Sequence, residues 1–464
     1  MTVLNSLGPA RGQEEASHPV MGRQRLWGGT TSEWVILMPS LLMVFGPPVW
    51  RAYGSRGLGA SAAGRVDVFV LLQLLVYGLA AAVVVMHVLK WRDQRLMPRQ
   101  IAPWVLGLLS IPTLMWMSAI NAPSAFLTIV MSSLFAIGLG SAIFVGLCIG
   151  TDKLRLEFVL TAFFKVNLIL ILLVLVANIV SPETVNVYSQ GRWRVKGNDI
   201  GNMSLAGAVT FVYAAYHFMR TGRVLWSGVL VFFAAIALSL PDVRIGYAAA
   251  ALGVGAMLLF SLRMRGGVAE PQVAGYRTNL LGPAAVLLPV LGVLIAAFFY
   301  DDIYSALTRD KPEALSTLSG RTLIWDWISD NAEVFVGHGF VAGFRHDFQG
   351  MSIGEYRGLM LESLNPSKIG SAHSAFFELV YGLGWLGAIW VAGIVMATLF
   401  TRLSTLKLSD RFDHLMVRVI AMVMVTYCLT QSTFLLPPSH EFGCLMYAIA
   451  IALGVRWRQW NRVR

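Results

Sequence analysis

Guanidinium forks grip phosphate oxygens, and an imidazole can move protons near neutral pH. Three such side chains stand at the mouths of apolar runs in this sequence. Arg244 follows Leu240-Pro241-Asp242-Val243 and opens one run. It is expected at a membrane surface, either holding an anion or paired with Asp242. Arg321 lies in Ser319-Gly320-Arg321-Thr322-Leu323-Ile324-Trp325. Ser319 is a fair N-cap, and Leu323, Ile324, Trp327 and Ile328 recur at helical spacing. This predicts a short amphipathic helix on the outer leaflet. A cation in its first turn is unfavourable, unless an anion binds at that positive helix end. A solvated arginine near lipid phosphates is the alternative. His373, in Ser371-Ala372-His373-Ser374, falls in the first turn of a long apolar run. The helix N-terminus disfavours imidazolium there, so the ring suits a general base. A structural interfacial histidine is the bland reading, and His338 and His346 compete for the catalytic one.

A second cluster, Arg192, Trp193, Arg194 and Lys196, sits in the segment 181–202. Cations beside an aromatic can grip a phosphorylated sugar or face lipid headgroups. No spacing of His, Cys, Asp or Glu resembles a metal site, so neither metal nor cofactor is expected.

The elements that must position these groups are apolar. The chain has 464 residues, is 56% hydrophobic and only 13% charged. Soluble proteins run near 45–50% and 25%, so the composition points to a membrane protein. The net charge of +11 is spread along loops. It suits anionic lipid and one anionic substrate, and not nucleic acid. Cys148, Cys428 and Cys444 lie inside apolar runs, which excludes a disulfide scaffold.

Apolar stretches predict an all-α polytopic protein with about twelve transmembrane helices. The expected spans are 33–50, 66–89, 101–120, 123–149, 156–180, 203–219, 222–240, 245–262, 280–300, 374–400, 414–434 and 441–455. The predicted organisation is a cytoplasmic tail (1–32), spans one to nine (33–300), a long periplasmic loop with short helices (301–372), spans ten to twelve (373–455) and a cytoplasmic C-terminal tail (456–464). With the N-terminus inside, the cytoplasmic side carries 21 Lys and Arg, against 7 in the short loops opposite. The positive-inside rule therefore puts both termini in the cytoplasm and Arg244, Arg321 and His373 outside. Polarity concentrates at that one face.

These residues resemble the O-antigen ligases, of the O-antigen ligase/polymerase superfamily in lipopolysaccharide biosynthesis. The resemblance rests on twelve predicted spans, the long loop between the ninth and tenth, and a His-Ser pair followed by nine residues and Gly-x-x-Gly. His373, Ser374, Gly384 and Gly387 meet that motif. Gly320, Arg321 and Trp325 match the family's Gly-Arg-x-x-x-Trp, followed by Gly337, Gly339 and Gly343. Arg244 matches the arginine that opens a span upstream. The glycine stretch is irregular and holds His338, and Ser374 stands where Asn is commoner.

The resemblance implies glycosyl transfer at the periplasmic face of a Gram-negative inner membrane. The donor would be O-antigen on undecaprenyl diphosphate, and the acceptor a sugar hydroxyl of lipid A–core. His373 would be the general base, and Arg244 and Arg321 would bind the diphosphate. The reaction would be metal-independent and inverting. Arg192, Arg194 and Lys196 would suit core phosphates, and His338 would position substrate. A polymerase of the same superfamily, and a transporter or flippase without chemistry, are the alternatives.

Overall fold

The computed structural model describes residues 30–51, 68–90, 101–180, 186–189, 192–195, 202–241, 244–265, 321–350, 372–400, 408–431, 435, 437 and 439–462. The described helices are α1 (Thr31–Arg51), α2 (Val68–Lys90), α3 (Ala102–Met117), α4 (Ala125–Gly150), α5 (Leu156–Val180), α6 (Met203–Thr221), α7 (Val224–Ser239), α8 (Arg244–Arg265), α9 (Arg321–Asn331), α10 (Ala342–Gly350), α11 (Ala375–Leu399), α12 (Leu408–Cys428) and α13 (His440–Arg462). A 3-10 turn, Ser118–Asn121, extends α3. Helices cover every predicted span but 280–300, which lies outside the described residues together with the tail 1–29. Among the described residues, four stretches are long and apolar enough to cross a membrane: Ala102–Asn121, Ala125–Gly150, Leu156–Val180 and Ala375–Leu399. Several shorter helices are also apolar.

Among the described residues, the helical architecture carries one addition. Asn186–Ser189 (β1) and Arg192–Val195 (β2) form an antiparallel hairpin, with Tyr188 opposite Trp193 and Ser189 opposite Arg192.

Local signals set several helix ends. The Ser124 side chain accepts from the Leu127 amide and opens α4, and Asn202 does the same for Leu205 at the start of α6. Gly222, at φ 68°, ends α6 in the left-handed conformation that L side chains resist.

The core is built on a seam between α4 and α13. Gly138, Ala142, Gly146 and Gly150 recur every four residues along α4 and let α13 approach closely. A Cβ at Gly138 would meet the Phe442 ring at 2.6 Å, and one at Gly146 the Ala450 carbonyl at 2.9 Å. Small residues repeated at this spacing are how apolar helices pack tightly when lipid offers no hydrophobic gain between them. Outward rows are apolar instead, as at Leu71, Leu75, Leu79, Val176 and Ile179, all exposed.

Polar contacts gather at the two ends of the bundle. At one end Arg155 grips Glu33 with Nε and Nη2, at 2.8 and 3.0 Å. Beside it Arg458 donates to the Ile149 and Leu154 carbonyls and pairs with Asp152 at 2.8 Å. Arg456 donates to the Ala397 carbonyl and lies over the Trp104 ring. The other end holds the start of α4, the end of α12 and the segments 321–350 and 372–374. There the Phe340 amide donates to Ser118 Oγ at 3.0 Å, and Thr128 Oγ1 donates to the Phe340 carbonyl.

Candidate active site

Helix α9 is the scaffold of this second end. Ile324 and Ile328, one turn apart, are buried. Both tryptophans pack against protein. Trp325 stacks on Phe377 at 5.1 Å with the rings nearly parallel, and Trp327 stacks on Tyr381 at 5.2 Å. The helix is thereby fastened along α11 by paired aromatics, each worth about 0.5–1.5 kcal/mol beyond its buried area.

Arg321 opens α9 as the sequence suggests. Its Nη1 donates to the Thr430 carbonyl at 3.0 Å, just past the end of α12. This contact ties the arginine's planar group to one rim and accounts for part of its first-turn position.

His373 precedes α11 in an unusual backbone conformation, with φ at 55°. A β-carbon costs about 1–2 kcal/mol there, so the geometry persists only if neighbours impose it. They do so through Ala372, which is fully buried. Its carbonyl accepts from Trp325 Nε1 at 2.9 Å, and its amide donates to Glu378 Oε2 at 2.9 Å. Ser374, buried, is the N-cap of α11 without a side-chain capping bond. Burial, and then the Arg321 guanidinium, push the His373 imidazole down to about 4. The ring is therefore neutral at neutral pH. Sequence reasoning credited the helix end for this. The structure credits burial and a neighbouring cation.

The predicted partners fall into four groups. Arg321 and His373 are brought together. Arg244 begins α8, and Gly246 lies against Ser204 and Tyr427, where a Cβ would meet each at 3.0 Å. Thr430 donates its amide to the Tyr427 carbonyl. The backbone thus sets Arg244 at the same end as Arg321, although its side chain lies outside what the structure describes. Arg192 and Arg194 belong to β2, described as backbone only, and Lys196 lies outside the described residues.

His338 belongs to a separate cluster. Its ring stacks on Tyr381 at 4.5 Å, and Nε2 donates to the Asn331 carbonyl at 3.1 Å. Asp347 accepts from the Tyr381 hydroxyl at 2.8 Å, lies 3.8 Å from His338 Nδ1 and pairs with His346 at 2.9 Å. His338 is anchored at the far end of α9 from Arg321. Ten residues at 1.5 Å each separate those ends by about 15 Å. His338 therefore lies at the opposite end of α9 from Arg321. It lines an open cleft of about 460 Å³ with Asn121, Glu333, Phe335 and Gly337.

The segment 333–340 is held by a break in α11. Gly384 has φ 82° and ψ 166° inside that helix, which interrupts its hydrogen-bond ladder. The Trp385 and Leu386 amides donate instead to the Glu333 and Val334 carbonyls, at 3.1 Å each. In return the His338 and Gly339 amides donate to the Tyr381 and Gly382 carbonyls. Gly337 passes so near that a Cβ would lie 2.3 Å from the Gly382 carbonyl carbon.

Sequence reasoning gave no role to Glu378 or Asp347, and Trp325 entered only as part of a motif. Glu378 was visible in the sequence only as a carboxylate inside a predicted span, which is a functional hint by default. Among the described residues, no three His, Cys, Asp or Glu side chains converge to hold a metal ion. In comparison with known proteins, the chain matches no family model and no curated protein.

Proposed function

We propose that this protein is a membrane glycosyltransferase of the O-antigen ligase kind. It spans a Gram-negative inner membrane about twelve times, with both termini cytoplasmic and the α9–His373 end periplasmic. It transfers O-antigen from undecaprenyl diphosphate to a sugar hydroxyl of lipid A–core. The observation that carries this reading is the coupling of a neutral imidazole to a guanidinium, at the bundle end bearing fewer loop cations.

In this reading the acceptor hydroxyl gives its proton to His373 as its oxygen attacks the anomeric carbon. The bond from that carbon to the diphosphate oxygen breaks, and the anomeric centre inverts. Charge builds on the departing diphosphate, where Arg321, with Arg244 from the start of α8, stabilises it. Fixed cations in a partly dry site contribute about 3–4 kcal/mol each to such a step. Membrane lipids supply the surroundings for both lipid-anchored substrates.

Purified protein given the lipid-linked donor, with and without lipid A–core, tests this. Glycan joined to lipid A–core, with undecaprenyl diphosphate released, is the expected product. Chain lengthening in the absence of lipid A–core would make the protein a polymerase. Transport undiminished in His373→Ala, without glycosyl transfer, would make it a transporter.

A further inference from the structure

The backbone at His373 is held from two sides. Its φ of 55° is one of three positive values at non-glycine positions among the described residues. Few residues with a β-carbon adopt it, histidine somewhat more often than most. The preceding peptide supplies the constraint, because both polar groups of Ala372 are engaged by side chains. From α9 the Trp325 indole donates to the Ala372 carbonyl; from α11 the Glu378 carboxylate accepts from the Ala372 amide. The two clamping groups are themselves fixed. Trp325 lies flat on Phe377, and Glu378 is only 1% exposed. Ala372 has no exposed surface, so water cannot replace either bond.

We propose that Trp325 and Glu378 are positioning residues for His373, clamping the Ala372 peptide so that the imidazole is held strained beside Arg321. The inference rests on the glycosyltransferase reading. Neither residue needs to touch substrate. Trp325 shares α9 with Arg321, one turn away, so the same helix sets the guanidinium and one jaw of the clamp. Glu378 shares α11 with the capping Ser374 and sets the other jaw. The ring and the cation are thereby placed by a common pair of elements. A displacement of about 1 Å in a catalytic group can cost on the order of a hundredfold in rate.

The test uses full-length protein in detergent or vesicles, with lipid-linked donor and lipid A–core. Trp325→Phe keeps the stack on Phe377 and removes the indole N–H. Glu378→Gln keeps an acceptor oxygen for the Ala372 amide, and Glu378→Leu removes it. Trp325→Phe and Glu378→Leu are expected to lower kcat at least tenfold with KM for either substrate within about twofold. Glu378→Gln should stay within about threefold of wild type. A purely structural role would instead reduce the folded yield and leave kcat per folded molecule unchanged. That result, or Gln failing as badly as Leu, would overturn the clamp. Wild-type protein with no glycosyl transfer would overturn the functional reading itself, a distinguishable outcome.

Discussion

The Arg321 guanidinium lies close enough to His373 to help hold its imidazole neutral. A cation beside a base lowers its affinity for a proton but spares its lone pair for a substrate hydroxyl. The same guanidinium donates through Nη1 to the Thr430 carbonyl, which holds it at this end of the bundle.

Arg321→Ala should lower kcat/KM by about 10²–10³-fold, the effect of losing one preorganised charge donor. Arg321→Lys should recover little, because an ammonium cannot reproduce the planar fork that reaches Thr430 and a phosphate together. Initial-rate kinetics on folded, monodisperse protein would check both. Full activity in the lysine variant would show that only net charge matters.

His373→Ala should cost about 10²–10⁴-fold in kcat, the usual contribution of a general base. The wild-type rate should be flat through neutral pH and fall only as the pH approaches about 4. Stability follows the same group. Its pKa is depressed in the folded state from 6.5 to about 4, so between those values the unfolded chain binds more protons. Stability contributed by this position therefore rises with pH across that window and is lost as the pH falls. Thermal unfolding against pH should lose that slope in His373→Ala.

At the opposite end of the bundle, Arg458 satisfies the Ile149 and Leu154 carbonyls near the α4–α5 connection. Arg458→Ala should destabilise the protein by about 1–3 kcal/mol by orphaning those acceptors. The kcat per folded molecule should not change. A kinetic defect as large as that of Arg321→Ala would mean that the two ends are coupled.

Gly337→Ala should be poorly tolerated, because its Cβ would collide with backbone at Gly382 and Leu383. Overpacking typically costs about 1–3 kcal/mol, and backbone yields less readily than side chains. Gly393→Ala on the same α11 meets nothing within 4 Å and serves as the control. Comparable melting temperatures for the two variants would contradict the close approach.

Much of the helical scaffold was legible in the sequence because apolar runs are local signals. Among the described residues, helices stand where the runs predicted them, and Arg321 opens the helix that the spacing implied, with Ile324 and Ile328 buried against protein. The hairpin was missed although Val187, Tyr188, Trp193 and Val195 flank Gln190-Gly191, a turn-forming pair between strand formers. Its cations drew the reading toward an irregular loop. The positive φ of His373 and the break at Gly384 could not be read at all. Each depends on partners far along the chain: Trp325 for Ala372, and Glu333 with Val334 for the amides after Gly384. Pattern shows which residues are able to act, while strain and clamping arise only when distant segments meet.

The exchange of backbone bonds between 333–340 and α11 has an engineering consequence. That connecting stretch finishes a helix which cannot finish itself, so the two behave as one module. Grafting a foreign segment that follows a different backbone path through 333–340 would leave the Trp385 and Leu386 amides without their carbonyl acceptors. A workable chimera must carry α11 along with its escort.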